Sequence, residues 1–137
     1  MSTTILVAVT DIFFYTKVRD ALRPQGYTLE RIRNQDEVVG KTASASPAAL
    51  ILNMNDLTID AFTALETLQA NPALRALPIL AFANHEEVDT WRRAKELGVT
   101  RIVSRNEFSA RTRELVEEII ATSCQQSAAR SELKAEG

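Results

Sequence analysis

The sequence predicts a doubly wound α/β fold, with five parallel strands in one sheet, ordered 2-1-3-4-5, and helices on both faces. Three observations predict it. Short apolar, β-branched runs alternate five times with segments of helical period. The first and third runs, TILVAV and AALIL, are continuously β-branched or apolar, as strands covered on both faces are. Parallel strands also need a covering crossover helix, almost always right-handed, and the chain supplies one between each pair of runs.

Each element follows from local chemistry. Thr4 to Val9 is too short for a helix and reads as a buried strand. Asp11 caps a helix reaching about Pro24, with Phe14, Val18, Ala21 and Leu22 at helical spacing. Gly26 follows, suited to the left-handed turn that ends a helix. Thr28 to Arg33 alternates apolar and polar residues, as an edge strand does. A weaker helix, about Gln35 to Ser44, precedes Pro47. Ala48 to Leu52 is a buried strand stopping at Asn53, and Asp60 to Gln69 is a helix with Phe62, Leu65 and Leu68 on one side. Pro78 opens a strand ending at Ala83, and His85 to Leu97 is a helix closed by Gly98. Thr100 to Ser104 is a short strand. Phe108 to about Ala121 is a helix with Leu115, Val116, Ile119 and Ile120 inward. Residues 1–122 form one domain, and 123–137 a polar tail or an extension of the last helix.

Composition narrows the function. Sixteen basic against eighteen acidic residues, net −2, leave no nucleic-acid footprint. The one cysteine, Cys124, excludes an internal disulfide and a cysteine-based zinc site, and reads as structural or incidental. No apolar run reaches the roughly 18–20 residues of a membrane span. The N-terminus lacks a basic segment ahead of an apolar one, so a soluble, cytoplasmic domain is expected.

With five strands the order is flavodoxin-like, and its site lies where the order reverses, at the carboxyl ends of strands 1 and 3. Those ends are Thr10-Asp11 and Asn53. Gly26, Gly40, Gly98 and Gly137 all fall outside the strand-to-helix loops, which argues against a glycine cradle for a nucleotide or flavin phosphate.

The segments ILVAVTD, SPAALILN, LPILAFAN and ELGVTRIVSR, with NPAL before the fourth strand, resemble the receiver domains of two-component response regulators from about Ile5 to Ile120. That resemblance implies an acidic pair after strand 1, a phosphorylated aspartate ending strand 3, a Thr or Ser ending strand 4 and a lysine ending strand 5. It also implies magnesium. Here those positions fall on Thr10 and Asp11, Asn53, Ala83 and Arg105, followed by Asn106 where the family usually has proline. An amide is no nucleophile for an acyl phosphate, alanine has no hydroxyl, and arginine's fork differs from a lysine ammonium. One carboxylate where the family supplies three argues against tight magnesium binding, so no cofactor is expected; Asp11 is the metal candidate that remains, with Asp56 and Asp60 as displaced carboxylates beyond strand 3. A single engineered Asp→Asn change would account for Asn53 and leave the other departures unexplained. The aromatic switch position falls on Ile102.

The reading is an atypical, pseudo-receiver signalling module that is not an enzyme and acts through protein contacts. The alternatives are a conventional phosphoryl-accepting receiver in a phosphorelay, or a small-anion sensor using the pocket of Thr10, Asp11, Asn53 and Arg105. Asp11 reads as a former metal ligand or as an N-cap paired with Arg105. Asp56 and Asp60 read as a turn residue and an N-cap, His85 as a helix-start residue, and Phe13-Phe14-Tyr15 as core and rim packing. Trp91 is either a contact anchor or ordinary packing. The resemblance places it on the helix 4–strand 5–helix 5 face with Arg92, Arg93, Arg101 and Ile102, opposite Glu114, Glu117 and Glu118. A signalling partner or a second copy of the chain would dock there, with no role for nucleic acid or membrane.

Overall fold

An apolar run buries its backbone N–H and C=O groups only if neighbouring strands take them up, and five runs here do so in one sheet. The computed structural model describes the backbone of residues 3–136 and the side chains of 3–121 except that of residue 45. Cys124 lies outside the described side chains. The strands are β1 (Thr3–Ala8), β2 (Tyr27–Arg31), β3 (Ala49–Asn53), β4 (Ile79–Ala83) and β5 (Arg101–Ser104). All pairs are parallel and the order is β2-β1-β3-β4-β5, as the sequence predicts. The helices are α1 (Ile12–Leu22), α2 (Glu37–Ala45), α3 (Ala61–Ala70), α4 (Val88–Glu96) and α5 (Arg105–Glu136).

Two apolar layers enclose the sheet. Ile5, Val7 and Val9 meet Val18 and Leu22 of α1 and Phe108, Leu115, Val116 and Ile119 of α5. Leu6, Ala8, Leu50 and Leu52 meet Val38, Ala64, Leu65, Leu68 and Ala94 from α2, α3 and α4. Each large aliphatic side chain so buried contributes about 1.5–3 kcal/mol relative to exposure. All five residues of β3 and of β4 are buried, which explains the apolar runs Ala49 to Leu52 and Ile79 to Ala83.

The boundaries shift where side chains bond the backbone. A short 3₁₀ turn, Arg23–Gln25, follows α1, and Gly26 takes φ 92°, a left-handed angle that favours glycine. Helix α4 starts at Val88, not His85. The Asn84 side chain accepts from Glu86 N and the Asn84 carbonyl from Glu87 N, so the chain turns once before the helix begins. Helix α5 starts at Arg105, three residues earlier than expected, because Ser104 Oγ accepts from Glu107 N. Its helical geometry lapses at Arg111 (φ −131°, ψ 30°), and its backbone continues beyond Ala121 to Glu136.

Candidate functional site

The ends of β1 and β3 sit side by side because the two strands pair from Ile5–Ala49 to Ala8–Leu52, and β4 brings Phe82 opposite Asn53. This register places Thr10, Asn53 and Ala83 together at the carboxyl end of the three central strands. What those residues touch was not legible in the sequence. Thr10 donates its backbone N–H to Asp56 Oδ2 (2.8 Å) and its hydroxyl to Asp56 Oδ1 (2.8 Å). Asp56 Oδ1 also accepts from Thr58 N and Ile59 N, both at 2.9 Å. The turn role read for Asp56 is therefore present, and the same carboxylate latches the β3–α3 loop to the end of β1. Arg31 Nη2 donates to the Thr10 carbonyl at 2.8 Å, with its guanidinium 5.0 Å from the Tyr15 ring centroid.

Asn53 is buried, at 5% exposure, and its Oδ1 accepts from Asn55 N (2.9 Å). Ala83 is fully buried and brings no hydroxyl. Asp11 is exposed and caps α1, its Oδ1 accepting from Phe13 N (2.9 Å) and Phe14 N (3.4 Å). The predicted Asp11–Arg105 pair does not form. Arg105 Cζ instead lies 4.7 Å from the centroid of the Phe14 ring, and Arg105 has no ion pair among the described residues. The reason is the early start of α5, which makes Arg105 its first residue. Of the five residues expected in one pocket, only Arg105 lines a cleft beside α1 and α5.

These donors do not fit magnesium. The ion wants several oxygen ligands in octahedral order. Asp11 is committed to its cap and Asp56 to four hydrogen bonds. Among the described residues no group of three His, Cys, Asp or Glu converges.

Burial works against ionising Asp56. The backbone N–H groups of Thr10, Ile59 and Thr58 and the Thr10 hydroxyl outweigh that burial, holding the carboxyl below its ordinary range. A lowered native pKa means the carboxylate stabilises the fold above the ordinary value near 3.9, and that this contribution is lost as pH falls through the lowered value. Asp56→Ala is expected to cost about 1–2 kcal/mol at neutral pH, kept small because water reaches the site. Urea unfolding across pH should show the gap between variant and wild type narrowing at acid pH. A gap independent of pH would mean that the ionised carboxylate is not what stabilises the loop.

A second set of bonds leads from Asn53 to α4. Asn55 Oδ1 accepts from Asn84 N (3.0 Å), Asn55 Nδ2 donates to Glu87 Oε2 (2.5 Å), and Trp91 Nε1 donates to the Asn84 carbonyl (3.1 Å). The sequence reading gave Asn55 no role, and its only signal was the polar run after β3. Trp91 is half-buried, its ring packing on the core beneath α4. It forms an open groove with Val88, Arg92, Lys95 and His85. The packing reading of Trp91 therefore holds for the face of the ring turned to the core.

The rest of the predicted contact face needs correction. Ile102 is buried, at 7% exposure, because the pleat of β5 points it into the core. Arg101 pairs with Glu118 and Glu107 of its own chain, and Arg111 with Glu107, Glu114 and Glu118. Arg113 lies 3.9 Å from Glu117, and Arg92 lies 3.8 Å from Asp89. Arg93 pairs with Glu66 at 2.9 Å and lies over Phe62. Glu107, Glu114, Glu117 and Glu118 of α5 are thus matched within the chain, which removes the charge argument for a two-fold contact. Phe13, expected to pack, is 78% exposed, and Ile12 and Leu57 are also exposed.

No family model and no curated protein sequence matches the chain. Solved structures do. One is the signal receiver domain of a signal transduction histidine kinase from Syntrophus aciditrophicus (TM-score 0.77, 18% identity, 88% of this chain and 92% of that one). Another is a response regulator signal receiver domain from Bermanella marisrubri (TM-score 0.77, 16% identity, 88% and 99%). A third is the phosphorylated cyanobacterial phytochrome response regulator RcpA (TM-score 0.72, 17% identity, 87% and 91%). At these identities the likeness establishes a shared fold.

Proposed function

We propose, for a chain that carries the fold of response-regulator receiver domains, a signalling role exerted through protein contacts and independent of aspartyl phosphorylation. The observation that carries this reading is the state of the strand ends. The buried amide of Asn53 stands where the fold's acceptor would be, and its Oδ1 accepts from Asn55 N. The neighbouring acid position is Thr10, locked to Asp56. The hydroxyl position is Ala83 and the cation is turned onto Phe14. Phosphoryl transfer depends on a preorganised electrostatic set, and residues that act as a unit lose function together. The domain is proposed to be non-enzymatic and to act in the cytoplasm; no described helix is long and apolar enough to cross a membrane.

The partner surface in this proposal is the α4 groove of Val88 and Trp91, flanked by Arg92, whereas Arg101 serves the chain's own ion pairs. Incubation with acetyl phosphate and magnesium is expected to leave the intact mass unchanged. Asn53→Asp alone is expected to remain inefficient, since Thr10, Ala83 and Arg105 are unaltered. A hydroxylamine-labile, stoichiometric phosphoryl adduct on the wild type would favour a conventional phosphoryl-accepting receiver and end the proposal.

A further inference from the structure

Several basic residues meet carboxylates, among them Arg101, Arg111, Arg93 and Lys41. Among the described residues Lys17 and Arg105 do not, and both line one cleft. It opens between α1, the β4–α4 loop and the start of α5, with a volume of about 410 Å³. Its walls include Phe14, Lys17, His85, Arg105, Asn106 and Ser109, and no carboxylate lines it. In a chain with two more acidic than basic residues, that lining is a local reversal of charge. Lys17 and Arg105 have no ion pair and no side-chain hydrogen bond among the described residues. The carboxylate nearest the lining's histidine is the exposed Glu86, whose Oε1 is 3.9 Å from His85 Nε2.

Arg105 is also held in place. Its guanidinium lies over the Phe14 ring, and Phe14 in turn stacks on the buried Phe82 at 5.2 Å between centroids. An arginine stacked by its face keeps its N–H edge available for a planar or tetrahedral oxyanion, and less order is lost when the ligand binds. Lys17 adds a second positive charge, and the Asn106 amide and Ser109 hydroxyl add neutral donors. The size falls within the range of small-molecule pockets, about 300–1,000 Å³.

We infer that this cleft binds a small phosphate-type oxyanion, with Arg105 as the fork and Lys17 as the second cation. The site is separate from Asp11 and Asn53, neither of which lines it. The inference goes beyond the contact function proposed above and does not depend on it, because binding here requires no covalent step at residue 53. Its ligand is free inorganic phosphate or a small phosphate monoester, which share the same charged group.

The test is a ¹H–¹⁵N NMR titration of the full chain with inorganic phosphate, and separately with phenyl phosphate, against sodium chloride at matched ionic strength. The expected result is saturable shifts clustered at Lys17, His85, Asn106 and Ser109 that chloride does not reproduce. Arg105→Ala and Lys17→Ala should each weaken binding at least about fivefold, while Arg75→Ala, between α3 and β4 at the opposite end of the sheet, leaves it unchanged. Arg105→Lys should recover part of the affinity, because it keeps the charge and loses the fork. Tighter binding of phenyl phosphate would assign the site to an organic ester, and equal binding to the free ion. Shifts that follow ionic strength alone would overturn the inference, as would equal weakening by Arg75→Ala or an Arg105→Ala variant that binds as wild type does. Thermal melts of the variants without ligand separate a lost site from a lost fold.

Discussion

Phe108→Ala is expected to destabilise the protein by about 3–5 kcal/mol, the cost of emptying a buried aromatic site. Phe108 is fully buried, and its ring stacks on Phe82 with centroids 4.2 Å apart and planes 19° apart. Phe14 extends the same stack from α1, so three elements far apart in sequence meet there. The loss would consume much of a typical total of about 5–15 kcal/mol, and equilibrium urea unfolding would measure it. Phe13→Ala serves as the contrast. That ring is 78% exposed, and its removal should change stability by no more than about 0.5 kcal/mol. Similar losses for the two variants would show that Phe13, like Phe108, is packed in the folded protein.

Truncating Trp91 is expected to cost at least about 2 kcal/mol of partner binding, roughly thirtyfold in affinity. Its ring also packs on the core and its Nε1 holds the Asn84 carbonyl, so Trp91→Ala alone confounds binding with stability. Val88 resolves the two effects. It lies one turn earlier on α4, is 64% exposed, and contributes to the same groove. Val88→Asp should leave the unfolding midpoint near that of wild type while weakening association, because a partner would have to desolvate the new carboxylate. Association is read by titration against the captured partner, or by sedimentation equilibrium if the partner is a second copy. Unchanged binding in both variants would remove α4 as the contact face.

The fold was legible because its determinants are local. A strand buried on both faces is apolar along its length, as β4 is throughout and β3 is up to Asn53; a helix needs a cap and a stripe, and Asp11 and Asp60 supply caps to helices with apolar faces. Five such units admit few sheet orders, and the structure adopts the one expected. Helix starts were less legible. Asn84 and Ser104 moved the starts of α4 and α5 by bonds that the hydrophobic period does not encode.

For the site, the residue types at the strand ends already decided that an amide and an alanine stand where the resembling family has a carboxylate and a hydroxyl. Only the tertiary structure decided what surrounds them. Thr10 meets a carboxylate 46 positions away, a pairing that no spacing rule predicts. Arg105 faces Phe14 and a cation-lined cleft instead of Asp11, because the helix begins with it. Ile102 lies inside the face on which it was expected to be displayed, because the strand's pleat points it inward. Composition and period are properties of neighbours along the chain, whereas hydrogen bonds and cation–aromatic contacts form between side chains that only folding brings within a few ångströms.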